Sequence, residues 1–283
     1  MPHSLAQTTM PETGAGHGPG RNGPVLPRVA LLRLLRSLIY AAATAPGAAP
    51  PPGLARRLFD PEAPIAALGD LALGEDGLGF DSLARIDLAA AVAQVFDLGA
   101  TGRDDYLLLA VRLGEWAELV AGAQDAAGGA AQLTFHTSGS TDQPKAIPHT
   151  LADLMEEVAV VTPTLFDPPP DRVVSLVPAL HIYGCLFTCL YPAWIGCDVL
   201  DAQHRPAAAV HRALRAGDLV VGTPQNWGHL LTSGNGLPPC VRGVVSAGPM
   251  PCAFWPQAKA QGLQDLVEIF GAAETAGVGW RRA

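Results

Sequence analysis

Hydroxyl groups, a glycine and a lysine are concentrated in one short polar segment, 137-TSGSTDQPK-145. Its hydroxyl-bearing residues are Thr137, Ser138, Ser140 and Thr141. Donors that converge on one place can hold a polyphosphate chain, and hydroxyls, backbone N–H groups and one cation supply such donors. Gly139 lets the backbone approach a ligand, Pro144 stiffens the segment, and Lys145 adds a point charge suited to phosphate. The spacing differs from the Walker pattern GxxxxGK[ST], and a polar linker with one lysine is the alternative.

The composition of the chain restricts its partners. It has 283 residues and a formal net charge of -8, which argues against nucleic acid or an anionic membrane as the main partner. Hydrophobic residues make up 49% of the sequence, enough for a sizeable core. The five cysteines form no CxxC pair, which favours buried free thiols over a metal site or disulfides.

The N-terminal region contains no apolar signal core. Residues 1–28 are rich in glycine, proline and histidine, which predicts a disordered tail and a cytoplasmic protein. The apolar run 29–43 is too short to span a bilayer comfortably and contains Arg33 and Arg36. It therefore predicts an amphipathic helix that packs on a neighbour, and no membrane span.

Residues 29–123 have the pattern of a small helical unit. After the first helix and a proline-rich segment, apolar residues recur at helical spacing from Ser82 onward. A further helical pair follows at 104–112 and 114–123, and the small residues of 124–132 predict a linker.

Residues 133–283 alternate between β-rich apolar runs and helical runs. The predicted strands are 172–177, 218–222, 241–246 and 265–270. The predicted helices are 151–161, 206–216, 224–231 and 253–262. Alternation at this spacing predicts an α/β fold with a mainly parallel sheet, and polar loops at the strand ends are where nucleotides bind in such folds.

Three segments, in this order, resemble signatures of the adenylate-forming ligase superfamily, which includes acyl- and aryl-CoA synthetases. The segment 137-TSGSTDQPK-145 resembles its phosphate loop, usually SGSTGxPK. Next, 178-PALHIYG-184 resembles its proline–aromatic-or-histidine–glycine motif, and 270-FGAAETAG-277 resembles its YGxTE motif. The chain is thus expected to contain part of an adenylate-forming domain at 133–283, with the parallel-sheet core of that domain.

The resemblance implies a role for individual residues. Lys145, His181 and Glu274 take the catalytic positions: Lys145 on the ATP phosphates, His181 beside the acyl pocket, and Glu274 as a ligand of Mg²⁺. Phe270 takes the place of a tyrosine that stacks on adenine, and Gly248 lies at the adenine and acyl sites. The implied nucleotide-binding residues are Thr137, Ser138, Gly139, Ser140, Thr141, Lys145, Gly248, Phe270 and Gly271.

Each of these residues also has an ordinary structural interpretation. Without the motifs, His181 reads as a core histidine, Phe270 as a strand-end core residue and Glu274 as a solvated helix-start residue. The sequence also departs from the family pattern at two positions. Asp142 stands where the loop usually has glycine, and Ala273 stands where YGxTE has threonine. A carboxylate beside triphosphate is unfavourable unless it points away.

The family fold continues beyond YGxTE to a small C-terminal domain that delivers a catalytic lysine. This chain contains two lysines, Lys145 and Lys259, and both precede Glu274. The resemblance therefore implies that this lysine is absent from the chain, and that a C-terminal ligase domain acts in trans or in a longer product.

The helical region carries a second resemblance. The segment 78-LGFDSLARIDLAAAVAQVF-96 is similar to an acyl carrier protein, in which the serine of a DSL triplet bears phosphopantetheine. This implies a carrier-like all-α bundle at 29–123 with Ser82 as the attachment site. The alternative is an ordinary helix N-cap, since Asp81 and Ser82 both favour that position.

Two functions from different classes follow. The first is ATP- and Mg²⁺-dependent activation of a carboxylic acid, fatty or aromatic, as an acyl-adenylate for transfer to CoA or to the thiol of a carrier protein. The apolar segment 182-IYGCLFTCLYPAWIG-196, which has no acidic residue, favours such an acid. The second is a non-catalytic nucleotide- or acyl-binding module, or a carrier module, acting with a synthase partner.

Overall fold

The computed structural model describes residues 23–137 and 145–282. The α-helices of this part are α1 (Arg28–Ala43), α2 (Leu54–Leu58), α3 (Ser82–Val95), α4 (Tyr106–Leu109), α5 (Leu113–Ala127), α6 (Leu151–Leu165), α7 (Ile182–Cys185), α8 (Tyr191–Ile195), α9 (Ala207–Ala213), α10 (Pro224–Thr232) and α11 (Phe254–Ala260). Its β-strands are β1 (Gln132–Thr137), β2 (Lys145–Thr150), β3 (Arg172–Ser175), β4 (Asp198–Asp201), β5 (Asp218–Gly222), β6 (Arg242–Val245), β7 (Asp265–Ala272) and β8 (Ala276–Arg282). A π-helical turn, Leu186–Leu190, joins α7 to α8.

The main sheet has six strands in the order β4-β3-β5-β6-β7-β8. All neighbouring strands are parallel except β7 and β8, which form an antiparallel hairpin at one edge. The predicted α/β fold with a mainly parallel sheet is therefore confirmed. Because parallel strands end at the same edge, the loops after β3, β5, β6 and β7 lie near one another.

Apolar residues on alternate sides of the strands divide the interior into two cores. Val173 belongs to one core and Val174 to the other, and the same alternation separates Val221 from Val220. Both faces of the sheet are covered, which explains why β5 reads as a continuous apolar run. Helices α9, α10 and α11 cover one face, and the larger core covers the opposite face.

Helix α1 is buried on all sides rather than on one face. Every residue from 30 to 39 is buried, including Arg33 and Arg36. Both guanidinium groups bind the carboxylate of Asp201 at the end of β4: Arg33 Nε at 3.1 Å and Arg36 Nη2 at 2.6 Å. The predicted amphipathic pattern is wrong here because α5 and a 3₁₀ turn at Ile65–Asp70 cover one side of α1 while the π-helical turn covers another. No helix of the described residues is long and apolar enough to cross a bilayer.

The helices of the predicted carrier-like module do not have a core of their own. Leu35 of α1, Val92 of α3 and Val120 of α5 belong to the same hydrophobic core as Val173 and Leu219 of the main sheet. The described part of residues 29–123 is thus packed against the α/β region. A separate bundle ahead of the sheet is not observed.

Two predicted boundaries are wrong. The predicted linker 124–132 is largely ordered secondary structure, because its alanines continue α5 to Ala127 and Gln132 already begins β1. The predicted tail 1–28 includes Leu26, which is buried and whose backbone N–H donates to Oε1 of Gln124 at 3.0 Å. A buried donor of this kind requires such a partner.

The cysteines differ in their surroundings, which predicts their reactivity. Burial raises the pKa of Cys185 well above its ordinary value and that of Cys189 to about 12. Cys240 and Cys252 are exposed. Because the thiolate is the reactive form, iodoacetamide is expected to alkylate Cys240 and Cys252 in the folded protein and to spare Cys185 and Cys189.

Peptide mass spectrometry after timed alkylation measures this difference. The urea-unfolded chain is the control, and all five thiols should react in it. Modification of Cys185 in the folded protein as fast as Cys252 would contradict the core described above.

Candidate active site

A cavity lies beyond the ends of β6 and β7. It has a volume of about 570 Å³ and a mostly apolar wall. Its lining residues are Phe135, His136, Thr137, His181, Ile182, Tyr183, Leu186, Phe187, Ser246, Ala247, Ile269, Gly271, Ala272, Ala273, Ala276 and Gly277. Segments from the β1–β2 hairpin, the loop before α7 and the β7–β8 hairpin therefore meet there, and these are the three segments that carry the sequence motifs.

The β1–β2 hairpin brings together the two ends of the phosphate-loop segment. Thr137 and Lys145 are paired across the antiparallel ladder, and Thr137 lines the cavity. Lys145 is exposed at the start of β2 and does not line it. The predicted residues Ser138, Gly139, Ser140 and Thr141, with the departure Asp142, lie outside the described residues.

The segment 178–184 leads into the first turn of α7, and its backbone is closely packed there. A Cβ at Gly184 would lie 2.0 Å from the carbonyl oxygen of Pro178, so the glycine of this motif is needed for packing. Tyr183 donates its hydroxyl to the carbonyl of Gly222 at 3.1 Å, and burial raises its pKa well above the ordinary value. This bond ties the cavity wall to the end of β5.

His181 precedes α7 and lines the cavity. Its side chain reaches solvent, yet the surrounding protein atoms desolvate the imidazole enough to lower its pKa. The neutral ring is thereby favoured near neutral pH, which suits a residue that borders an apolar ligand. The core-histidine interpretation does not fit this exposed position.

The motif 270–277 forms the end of β7, a turn and the start of β8. Gly271 lines the cavity, and a Cβ there would lie 2.2 Å from the carbonyl oxygen of Ala276, so close pairing of the hairpin requires glycine. Phe270 points to the other side of β7, is 45% exposed and lies 5.5 Å from the guanidinium carbon of Arg281. Its stacking on adenine remains a prediction. Glu274 is exposed in the turn and does not line the cavity.

The loop after β6 contributes neighbours of a predicted residue. Gly248 itself does not line the cavity, whereas Ser246 and Ala247 do. Ala247 has a left-handed backbone with φ of 66°, and Ser246 donates its hydroxyl to the carbonyl of Ile269 at 2.9 Å. The serine bond joins the ends of β6 and β7 at the cavity wall.

Sequence reasoning missed several residues of the site. Phe135 lies two residues before Thr137 on β1, so strand alternation from the motif threonine would have found it. His149 on β2 and Glu157 on α6 gave no signal, although both bind the β7–β8 hairpin. Burial raises the pKa of Glu157, and the N–H of Gly277 and the nearby His149 oppose that shift.

Glu274 is the predicted ligand of a magnesium ion, which prefers oxygen ligands. No three His, Cys, Asp or Glu side chains gather as a metal cluster in the described part of the chain. Mg²⁺ in nucleotide enzymes usually binds one or two carboxylates together with substrate phosphates and water. A single exposed carboxylate on a turn, such as Glu274, fits that requirement.

Ser82 lies elsewhere. It is exposed in the first turn of α3, and Asp81 is the N-cap, accepting from the N–H of Ala84 at 2.8 Å. Ser82 borders a separate surface depression with Arg85 and Leu108. Its modification with phosphopantetheine remains a prediction.

Comparison with known proteins then decides the family. The profile of the family described as AMP-binding enzyme matches residues 97–282. The chain belongs to this family. The match begins inside the region that sequence analysis assigned to a carrier-like module, and it includes all three motif segments.

Curated relatives of this chain are named 4-coumarate–CoA ligase. The protein of Rhodobacter capsulatus is 44% identical over 256 residues, which are 89% of this chain and 64% of the relative. The protein of Halorhodospira halophila is 35% identical over 253 residues, which are 89% of this chain and 61% of the relative. The chain thus spans somewhat less than two thirds of the length of these relatives.

Solved structures of ligases also resemble the chain. The o-succinylbenzoate–CoA synthetase of Bacillus subtilis in complex with AMP is 18% identical with a TM-score of 0.48, covering 63% of this chain and 38% of that one. A benzoate–CoA ligase of Burkholderia xenovorans is 21% identical with a TM-score of 0.47, covering 62% and 37% respectively.

Proposed function

We propose that this chain is the acid- and nucleotide-binding part of an AMP-forming acid–thiol ligase that activates an aromatic carboxylic acid. The observation that carries the proposal is the convergence of the three motif segments on one apolar cavity. Family membership and the names of the curated relatives support it. The volume of the cavity, about 570 Å³, is within the range of small-molecule sites.

The reaction has two steps. The carboxylate of the acid attacks the α-phosphorus of ATP, the bond to the β-phosphate oxygen breaks, and pyrophosphate leaves with the electron pair. A thiolate then attacks the acyl carbon of the acyl-adenylate, and AMP leaves. The names of the relatives favour CoA as the thiol; transfer to a carrier protein and a C-terminal domain acting in trans are further proposals.

The chain's residues would divide the work of the first step. Lys145 and the segment before it would bind the β- and γ-phosphates, as a point charge on phosphate oxygens. Glu274 would hold Mg²⁺, which neutralises phosphate charge when bound. His181 and the aromatic wall would orient the acid and exclude water from its ring.

The wall of the cavity favours an aromatic acid over a fatty acid. Phe135, Tyr183 and Phe187 all line it, and the rings of Tyr183 and Phe187 lie 5.6 Å apart. Flat ligands pack well against such rings in offset or edge-on arrangements. Among the described residues the lining contains no lysine or arginine, so the carboxylate would have to lie toward the phosphate-loop side.

Filling the cavity should weaken acid binding. Ala272 lines the cavity from β7, and Ala272→Trp is expected to weaken binding of 4-coumarate about tenfold or more, about 1.4 kcal/mol. The larger ring occupies ligand volume at a position that is already open. Isothermal titration calorimetry measures the affinity directly.

A matched control places the same ring outside the cavity. Val278 on β8 is 72% exposed and does not line the cavity, so Val278→Trp should leave the affinity unchanged. Equal binding by wild type and Ala272→Trp would overturn the assignment of the cavity. Decanoate bound as tightly as 4-coumarate would overturn the aromatic specificity.

A further inference from the structure

Two side chains, His149 on β2 and Glu157 on α6, bind the backbone of the β7–β8 hairpin. The Nε2 of His149 lies 2.5 Å from the carbonyl oxygen of Ala273. A carbonyl oxygen accepts only, so this imidazole carries its proton on Nε2 and donates it. Oε1 of Glu157 accepts from the backbone N–H of Gly277 at 2.9 Å. These bonds join residues 124 and 120 positions apart in the chain.

The two bonds fix both ends of the turn that carries Glu274. Ala273 is its first residue, and Gly277 follows its last residue by two positions. A Cβ at Gly277 would lie 2.6 Å from Oε1 of Glu157, so a side chain at this position would displace the carboxylate from the backbone. With glycine at position 277, the carboxylate of Glu157 lies directly against the backbone of β8.

The strand β2 connects this contact with the phosphate-loop segment. Side chains two apart on a strand share a face, so Lys145, Ile147 and His149 lie on one side of β2. Their partners on β1 are Thr137, Phe135 and Leu133, the first two of which line the cavity. His149 also packs against Phe135 with ring centroids 5.9 Å apart.

One strand therefore carries both the lysine of the phosphate-loop segment and the donor that holds the Glu274 turn. The two residues are four positions apart on β2, which is about 13 Å along a strand. Glu157 adds a second support from α6, the helix that follows β2 directly. β2 and α6 are thus both tied to the hairpin that carries Glu274.

We propose that His149 and Glu157 are positioning residues that hold the turn after β7 so that Glu274 and Lys145 act on the same magnesium–polyphosphate group. This rests on the proposed function, because it assumes that Glu274 binds Mg²⁺ and Lys145 binds phosphate. In this role neither residue would need to touch the nucleotide. Residues that orient a metal ligand in this way typically change metal affinity about 10–100-fold when they are replaced.

The test compares disruptive and conservative variants of both residues in the full chain. His149→Phe and Glu157→Leu remove the donor and the acceptor, whereas His149→Gln and Glu157→Gln keep an N–H donor and a carbonyl acceptor. The readout is the ratio of ATP affinity with Mg²⁺ to ATP affinity in EDTA, measured by calorimetry. This ratio should fall about tenfold in the disruptive variants and remain near the wild-type value in the conservative ones.

A purely structural role gives a different result. The disruptive variants would then unfold at lower temperature, but the magnesium ratio of the folded protein would stay at the wild-type value, and that outcome overturns the proposal. Equal loss in the conservative variants, or a wild-type protein whose ATP affinity ignores Mg²⁺, overturns it as well.

A second measurement separates this proposal from the proposed function. Hydrogen exchange at the amide of Gly277 should be slow in wild type and Glu157→Gln and fast in Glu157→Leu, with or without nucleotide. A wild-type chain that does not bind ATP refutes the proposed function and, with it, the shared magnesium–polyphosphate role. Rapid exchange in wild type would show in addition that the two contacts do not hold the turn.

Discussion

Asp201→Asn is expected to lower the free energy of unfolding by about 3–5 kcal/mol. The carboxylate of Asp201 neutralises Arg33 and Arg36, whose side chains are 7% and 6% exposed. Asparagine keeps the shape but removes the charge, so two buried guanidinium groups lose their counterion. Buried charges without a partner are among the most destabilising changes that a single substitution produces.

Urea unfolding followed by fluorescence measures the effect, and Asp198→Asn is the matched control. Asp198 begins the same strand, β4, but is exposed, so its replacement should change the free energy of unfolding by no more than about 0.5 kcal/mol. Equal, small effects of both substitutions would contradict the docking of α1 against the main sheet.

The contact between α1 and β4 also shows where sequence reasoning reached its limit. The pattern of residues 29–43 predicts a helix correctly, and α1 covers Arg28–Ala43. The pairing of Arg33 with Asp201 spans 168 positions, and no local pattern announces it. Arg33 and Arg36, which argue against a membrane span, were therefore interpreted as the polar face of an amphipathic helix. In the structure both side chains are buried and bind the carboxylate of Asp201.

The central strands were predictable because burial on both faces leaves a clear apolar run. Strand β5 (Asp218–Gly222) coincides with the predicted strand 218–222. Strand β7 (Asp265–Ala272) begins where the predicted strand 265–270 begins and continues two residues further. The edge strand β8 was not predicted. It ends in two arginines, Arg281 and Arg282, has glycines at 277 and 279, and exists because it pairs with β7 at the sheet edge.

The motifs indicate which segments meet at the cavity better than they indicate which side chains line it. Thr137, His181 and Gly271 line the cavity, and their roles in binding remain predictions. Phe270 does not: its ring lies 5.5 Å from the guanidinium carbon of Arg281, whereas its neighbours Ile269 and Gly271 line the cavity. The supports from His149 and Glu157 come from tertiary contacts that spacing along the chain cannot indicate.

Lys145→Ala is expected to reduce the affinity for Mg·ATP about 10–100-fold. A charge-assisted bond to phosphate contributes about 1.5–3 kcal/mol, and Lys145 at the start of β2 is the cation that the phosphate-loop segment provides. Affinity for AMP should change little, because the proposed contacts are to the β- and γ-phosphates. Calorimetric titration with each nucleotide measures both affinities.

The other lysine of the chain supplies the control for Lys145. Lys259 lies in the last turn of α11 and does not line the cavity, so Lys259→Ala should leave both affinities unchanged. Equal losses for AMP and ATP in Lys145→Ala would contradict the phosphate assignment and favour a general structural effect.

The most direct measurement is the titration of the wild-type chain with Mg·ATP, followed by unfolding at saturating nucleotide. We expect a single site and, at a free ligand concentration of a hundred times the dissociation constant, a stabilisation of about 2.7 kcal/mol. No heat of binding and no change in unfolding at millimolar Mg·ATP would contradict it.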